Sequence, residues 1–465
     1  MYEYLQAYLD KDIYPFHMPG HKRNPMFFPQ VLAELDLTEI PGMDVLRAPT
    51  GIIRNLQEAI AQFYGADESY LLVNGSTAGI LAAICAVCNN KSKIYAARNG
   101  HVSMFNGIAL AGAAPMYILP EITPDGLAGG INPTALDNME EGAAVFIVSP
   151  TYEGFVSDVK EIAARVHSRN GILIVDEAHG AHFRFHDAFP VSALELGADI
   201  VVQSFHKTLP ALGQAAVLHV KDTRVDTARL RFFLQAMQTT SPSYMLMGQL
   251  DYVLRMLWRR PEIFETYVAR LNKLRTALAT SEAQPISLLP GRERVGQYGV
   301  HDMDLGKLLF HVNTGEMNLS CVNEMAAGLF NANDAAASLS QTLANQYRLQ
   351  MEMATGQHLL AMTSVADTDD GFQRLWGAIG SLNIKLEAGH RLIQSVSTPY
   401  HIPEIAITPG QAIHRQTEAI PWEAAAGRIA AEVVATYPPG IALIAPGERI
   451  PQGLPKLAET IRVLA

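Results

Sequence analysis

Two rhythms of apolar residues run through this chain. Short aliphatic blocks bounded by turn residues recur through the first half, and between them apolar positions repeat every three to four residues. The blocks read as buried strands and the longer rhythm as amphipathic helix. The predicted strands are Tyr70–Val73, Lys93–Ala96, Met116–Leu119, Ala144–Val148, Ile172–Val175 and Ile200–Val202. The predicted helices are Ile53–Tyr64, Ser76–Val87, Met104–Leu110 and Val159–Ser168, and Ala215–His219 reads as a further strand turning back. Strands alternating with helices argue for a parallel, doubly wound sheet.

The pattern changes after about residue 226. Helical runs over Leu230–Met237 and Ser243–Arg259 lead into a Pro/Gly-containing stretch at 284–297. Beyond it we expect strands at Lys307–Val312, Leu359–Thr363 and Ile441–Ile444, and helices at Ala335–Gln346, Asp370–Leu386 and Pro421–Thr436. Residues 1–40 hold prolines at 15, 19, 25 and 29, which preclude one long helix and suggest an arm. The expected division is therefore an arm (1–40), a large α/β domain (41–297) and a smaller C-terminal α+β region (298–465).

Composition narrows the class. The 465 residues are 49% hydrophobic and 17% charged, which marks a globular chain. A net charge of −11 argues against nucleic acid or an anionic membrane as partner. The N-terminus lacks the basic and apolar regions of a signal peptide, and no apolar run reaches the roughly 18 residues of a membrane span. A cytoplasmic protein is expected. Three cysteines make no disulfide framework, and Cys85 and Cys88 read as small buried residues one helical turn apart.

The chemistry gathers at strand ends. Ile172–Val175 runs into Asp176-Glu177-Ala178-His179, and Ile200–Val202 runs into Ser204-Phe205-His206-Lys207. Parallel strands would set Asp176 and Lys207 at the same carboxyl edge, where open α/β sheets bind ligands. An amine beside imidazoles and a buried carboxylate suits a Schiff-base cofactor, pyridoxal phosphate, with Asp176 facing its pyridine nitrogen. Asp176 could also simply cap the following turn. Asn74-Gly75-Ser76-Thr77 joins a strand to a helix, where small residues expose N–H groups to an anion such as a phosphate. Ser76 as an ordinary helix cap is the competing explanation. His101 lies in a loop, either stacked on a cofactor ring or solvated. His179, His182 and His186 lack the accompanying Cys or acid spacing of a metal site, so no metal is expected.

Taken together, these segments resemble the ornithine/lysine/arginine decarboxylases. His17-Met18-Pro19-Gly20-His21, Asn74–Thr77, Arg98-Asn99-Gly100-His101, Asp176–His182 (DEAHGAH), Ser204–Lys207 (SxHK), Tyr437–Gly440 (YPPG) and Pro446–Glu448 (PGE) carry the resemblance. It implies the aspartate-aminotransferase-like fold of type I, with a mostly parallel seven-stranded sheet and a smaller C-terminal α+β domain. By the same resemblance Gly75, Ser76, Thr77 and Ser204 hold the phosphate and His101 stacks on the ring. Asp176 pairs with the pyridine nitrogen, His179 sits near the phenolic oxygen, and His206 lies beside the Schiff base on Lys207. It also implies a homodimer or larger homo-oligomer with active sites at the interface. The chain departs from the family pattern at Val102, at Gly213 and in Met43–Pro49, all outside the cofactor constellation.

The expected activity is decarboxylation of a basic L-amino acid, with Glu352 or Asp44 offered as the acid for its distal cation. An aminotransferase of the same fold, or a cofactor-binding protein without turnover, are the other readings.

Overall fold

The computed structural model describes residues 10–28, 36–221, 223–279, 284–289, 291–292, 295–312, 335–386, 402–436, 441–454 and 456–465. The YPPG segment, Tyr437–Gly440, lies outside the described residues.

A seven-stranded sheet forms the centre, in the order Glu68–Leu72, Ala216–Val220, Ile200–Ser204, Ile172–Asp176, Ala144–Val148, Lys93–Ala97, Ala114–Ile118. All pairings are parallel except those of Ala216–Val220, which runs antiparallel to both neighbours. The two central strands are buried on both faces, as expected for a sheet covered by helices on each side. Each predicted strand appears within a residue or two of its expected bounds, and every predicted helix of the first half is present.

A second sheet of four antiparallel strands (Ile286–Leu288, Lys307–Val312, His358–Met362, Met353–Thr355) packs on one side. Its first strand comes from before residue 298. The arm is built into this part of the molecule, because Tyr14–Phe16 pairs in parallel with Leu349–Met351.

The C-terminal stretch corrects one expectation. Pro421–Thr436 is not a helix. It holds the end of the strand Thr417–Pro421, a single 3-10 turn at Trp422–Ala424 and the strand Val434–Thr436. Gly427 sits at φ +83°, a left-handed conformation that breaks the helical path. Ala430 bridges to Val463 and takes a backbone bond to Glu448, so pairing with distant strands overrides the local alanine-rich preference.

This region is tied to the main sheet by a buried ion pair. Arg98 donates to both carboxylate oxygens of Glu448, at 2.6 and 2.8 Å, and to Leu443 O at 2.9 Å. Both charged side chains are 1% exposed. The guanidinium also faces the Tyr117 ring at 4.7 Å. A second junction is backbone against backbone. The short helix Pro409–Ala412 lies on the end of the helix Val102–Ala111, and a Cβ at Gly410 would stand 2.7 Å from Gly112 Cα. Among the described residues no helix is long and apolar enough to cross a membrane.

Candidate active site

Asp176 is the last residue of its strand, and the neighbouring strand ends at Ser204 in register two residues on from the Asp176–Val202 pair. A one-turn helix, Phe205–Thr208, then lifts His206 and Lys207 over the same edge. Both lie on a cavity of about 370 Å³ that Asn74, Gly75, Ser76, Thr77, His101, Asp176 and His179 also line. The sequence-predicted constellation is therefore brought together, with Ser204 buried at its margin.

The helix Gly75–Val87 points its N-terminus at this cavity. Gly75 adopts φ +75°, which only glycine takes readily, and the side chain of Asn74 makes no cap hydrogen bond. The first amides of the helix and its positive dipole end are thus presented to the cavity. Ser204 Oγ and Asn99 Oδ1 are buried without a hydrogen-bond partner, which costs free energy unless a bound group satisfies them. His101 is itself the N-cap of Val102–Ala111. Its Nδ1 accepts the Ser103 N–H and lies 2.8 Å from Ser103 Oγ, which fixes the ring.

Asp176 accepts a bond from Ala178 N at 3.1 Å. Burial pushes its carboxyl above the usual range, while Lys207 and His101 pull it back. Burial lowers the Lys207 amine, opposed by Asp176 and Glu352. His206 donates from Nδ1 to Ala215 O at 3.0 Å, and burial brings it down to about 4, so the ring is uncharged at neutral pH.

A row of three nitrogenous side chains starts at the cavity wall with Lys207 and His179 and runs inward to Lys307. Lys207 Nζ lies 3.1 Å from His179 Nε2, and His179 Nδ1 lies 2.7 Å from Lys307 Nζ. Lys307, at the head of Lys307–Val312, is 1% exposed. Behind it Asp304 pairs with His182 at 3.1 Å and accepts the Gly306 N–H. The DEAHGAH residues thus divide their work. His179 faces the lysines, His182 faces Asp304, and Glu177 holds Ser192, Ala193 N and Gln203 beneath the edge.

The arm seals this side. Gly20 N donates to His206 O at 2.7 Å, and a Cβ there would stand 2.7 Å from Leu209 O and 3.1 Å from Lys207 O. Met18 N and the Tyr152 hydroxyl both donate to Glu352. Glu352 therefore stands behind Met18 and Tyr152, which line the cavity.

Asp44 is placed elsewhere. Its carboxylate accepts N–H groups of Val45, Thr50, Gly51, Ile53 and Arg54, so it caps the helix Ile52–Tyr64. These donors overcome burial and hold it below the usual carboxylate range. That replaces the expectation of a substrate-binding role. Lys307, Asp304, Tyr152 and Glu153 were not singled out from the sequence. The available signal was Asp304-x-x-Lys307, charged residues abutting the apolar run Leu308–Phe310. Glu153 is a buried acid on the cavity wall, its carboxyl raised by burial.

The chain is similar to known proteins along most of its length. The family model described as Orn/Lys/Arg decarboxylase, major domain, matches residues 1–290, and its C-terminal domain matches 391–464. An arginine decarboxylase of Bacillus anthracis is 31% identical over 454 residues, covering 94% of this chain and 87% of the relative. A lysine decarboxylase of Pseudomonas aeruginosa is 24% identical, covering 94% and 72%. Among solved structures, the constitutive lysine decarboxylase of Escherichia coli superposes with a TM-score of 0.76 at 19% identity, covering 97% and 79%. A structure of SPT with PLP gives 0.57 at 16% identity, covering 80% and 88%. The chain has the type I fold of pyridoxal-phosphate enzymes, belongs to the Orn/Lys/Arg decarboxylase family, and is an amino-acid decarboxylase.

Proposed function

We propose that the chain carries pyridoxal phosphate as a Schiff base on Lys207 and removes the α-carboxylate of a basic L-amino acid, with arginine the first substrate to test. The observation that carries this is the convergence of an uncapped helix N-terminus, a buried carboxylate and a buried amine on one cavity. The residues fit the cofactor. Gly75, Ser76 and Thr77 would hold its phosphate, and the unpartnered Ser204 hydroxyl would complete that cradle. Asp176 would pair with the pyridine nitrogen, His101 would stack on the ring, and His179 would lie near the phenolic oxygen. When bound, the cofactor supplies the electron sink for loss of the carboxylate.

The protein's own part is to orient and to move protons. The arm and the Lys207 turn enclose the substrate, which favours one orientation of the bond to be broken. Lys207 and His206 both border the cavity and are the proposed sources of the proton returned to Cα. Glu153 on the wall and Glu352 behind it are the acids we assign to the pull on the distal cation. Arginine comes first because four relatives at 31–32% identity that match along most of their length are named arginine decarboxylases. We further propose a homodimer, to be read from sedimentation.

The test is a visible spectrum of the purified protein together with carbon dioxide release from arginine, lysine and ornithine. A yellow protein that releases carbon dioxide from one of them, and loses its colour in Lys207→Ala, is expected. A wild-type protein that stays colourless with added cofactor, or turns over none of the three, defeats the proposal.

A further inference from the structure

We propose that Lys307 is a positioning residue that keeps the proton of the Lys207–His179–Lys307 row, so that Lys207 stands as a free amine. The inference rests on the reading of Lys207 as the cofactor-carrying residue.

A neutral imidazole offers one N–H and one lone pair, and an ammonium can only donate. If Lys307 is the ammonium, it donates to His179 Nδ1, the ring proton sits on Nε2, and Nε2–H donates to Lys207. Only an uncharged amine can accept that bond. The reverse arrangement makes Lys207 the ammonium and Lys307 the free amine. Two ammonium groups would leave an N–H of the ring facing an N–H of a lysine, with no lone pair between them. The row therefore holds at most one extra proton, at one end or the other.

The distances select the end. The 2.7 Å contact at Lys307 has the length of a charge-assisted bond, and the 3.1 Å contact at Lys207 that of a weaker, neutral one. The surroundings agree. Lys307 faces Asp304, Glu352 and Glu153, against Lys22 as the opposing cation, and lies 6.0 Å from the centre of the Tyr152 ring. Lys207 faces Asp176 and Glu352, with His101, His179 and His206 as its uncharged neighbours. Burial brings Lys307 down to about 8, opposed by Asp304 and Glu352, so it remains mostly protonated at neutral pH. His179 is driven well below its ordinary range by burial and by both lysines, which keeps its ring neutral.

The fold makes room for this. Gly154, at φ +101°, lets the Lys307 stem pass, since a Cβ there would lie 2.7 Å from Lys307 Cγ. A desolvated lysine beside a second cation is a known route to an amine that is nucleophilic at neutral pH.

The test uses the full chain freed of pyridoxal phosphate. Lys207 is labelled with acetic anhydride across a pH series and its peptide is quantified by mass spectrometry. The wild-type midpoint should fall at least one pH unit below that of an ordinary lysine. Lys307→Met should raise it, and labelling at pH 8 should slow by about tenfold for each pH unit that the midpoint rises. Nitrogen-15 spectra of histidine-labelled wild type should show His179 protonated at Nε2. A wild-type midpoint in the ordinary lysine range overturns the proposal. So does His179 protonated at Nδ1, or a folded Lys307→Met with an unmoved midpoint. The two wild-type measurements decide the matter even if the variant does not fold. An absent visible band with this labelling profile intact would count against the cofactor reading alone.

Discussion

Lys207, Asp176 and His101 could be found from the sequence because each follows a recognisable apolar block, and the strand that delivers the residue also fixes its place. Lys307 could not be found that way. It stands at the start of a strand in a different sheet, and its meaning comes from His179, which lies 128 positions earlier. Asp44 shows the opposite failure: an acid in a polar loop reads as free, yet five backbone donors surround it. Gly20 gives the sharpest prediction at this scale. In Gly20→Ala the new methyl meets two carbonyl oxygens of the Lys207 turn, and backbone cannot yield as a side-chain end would. Overpacking of this kind costs about 1–3 kcal/mol. Urea unfolding should show that loss, with a fall in kcat that Gly20→Ser repeats. Full activity in Gly20→Ala would mean that the arm does not set the position of the lysine.

At the scale of elements, the central sheet was legible because strands buried on both faces are almost wholly aliphatic. The C-terminal stretch was not, because Ala-rich Pro421–Thr436 has helical composition, yet Ala430 bonds to Glu448 and bridges to Val463, and Val434–Thr436 pairs with Ile441–Ile444. The contact between Pro409–Ala412 and the helix capped by His101 belongs here too. Gly410→Ala places a methyl 2.7 Å from Gly112 Cα and 3.0 Å from Ala109 O, with no side chain to give way. We expect a lower urea midpoint, corresponding to about 1–3 kcal/mol, and weaker retention of the cofactor on dialysis. An unchanged midpoint would show that the two helices are not rigidly docked.

For the whole molecule, the Arg98–Glu448 pair joins two regions that the sequence separates by 350 positions. Glu448→Ala would leave a buried guanidinium without its counter-charge, a change that typically costs about 3–5 kcal/mol. Glu448→Gln keeps a hydrogen-bond acceptor and should cost less. Thermal and urea unfolding of the two variants give the comparison, and equal losses would argue that packing rather than charge joins the regions. Arg98 opens the segment that ends at His101, so the same variants should also weaken cofactor binding.

The pairing of Tyr14–Phe16 with Leu349–Met351 has a consequence for the order in which the chain acquires its activity. The arm leaves the ribosome before its partner strand, which emerges on the order of 300 residues later, roughly 15–60 s at about 5–20 residues per second. Until then Gly20 has no fixed place on the lysine turn and the cavity stays open on that side. Nascent chains stalled before Leu349 should therefore not retain pyridoxal phosphate, even with Lys207 and Asp176 already outside the ribosome. Cofactor loading becomes a late event, which only chains extended past Leu349–Met351 can reach.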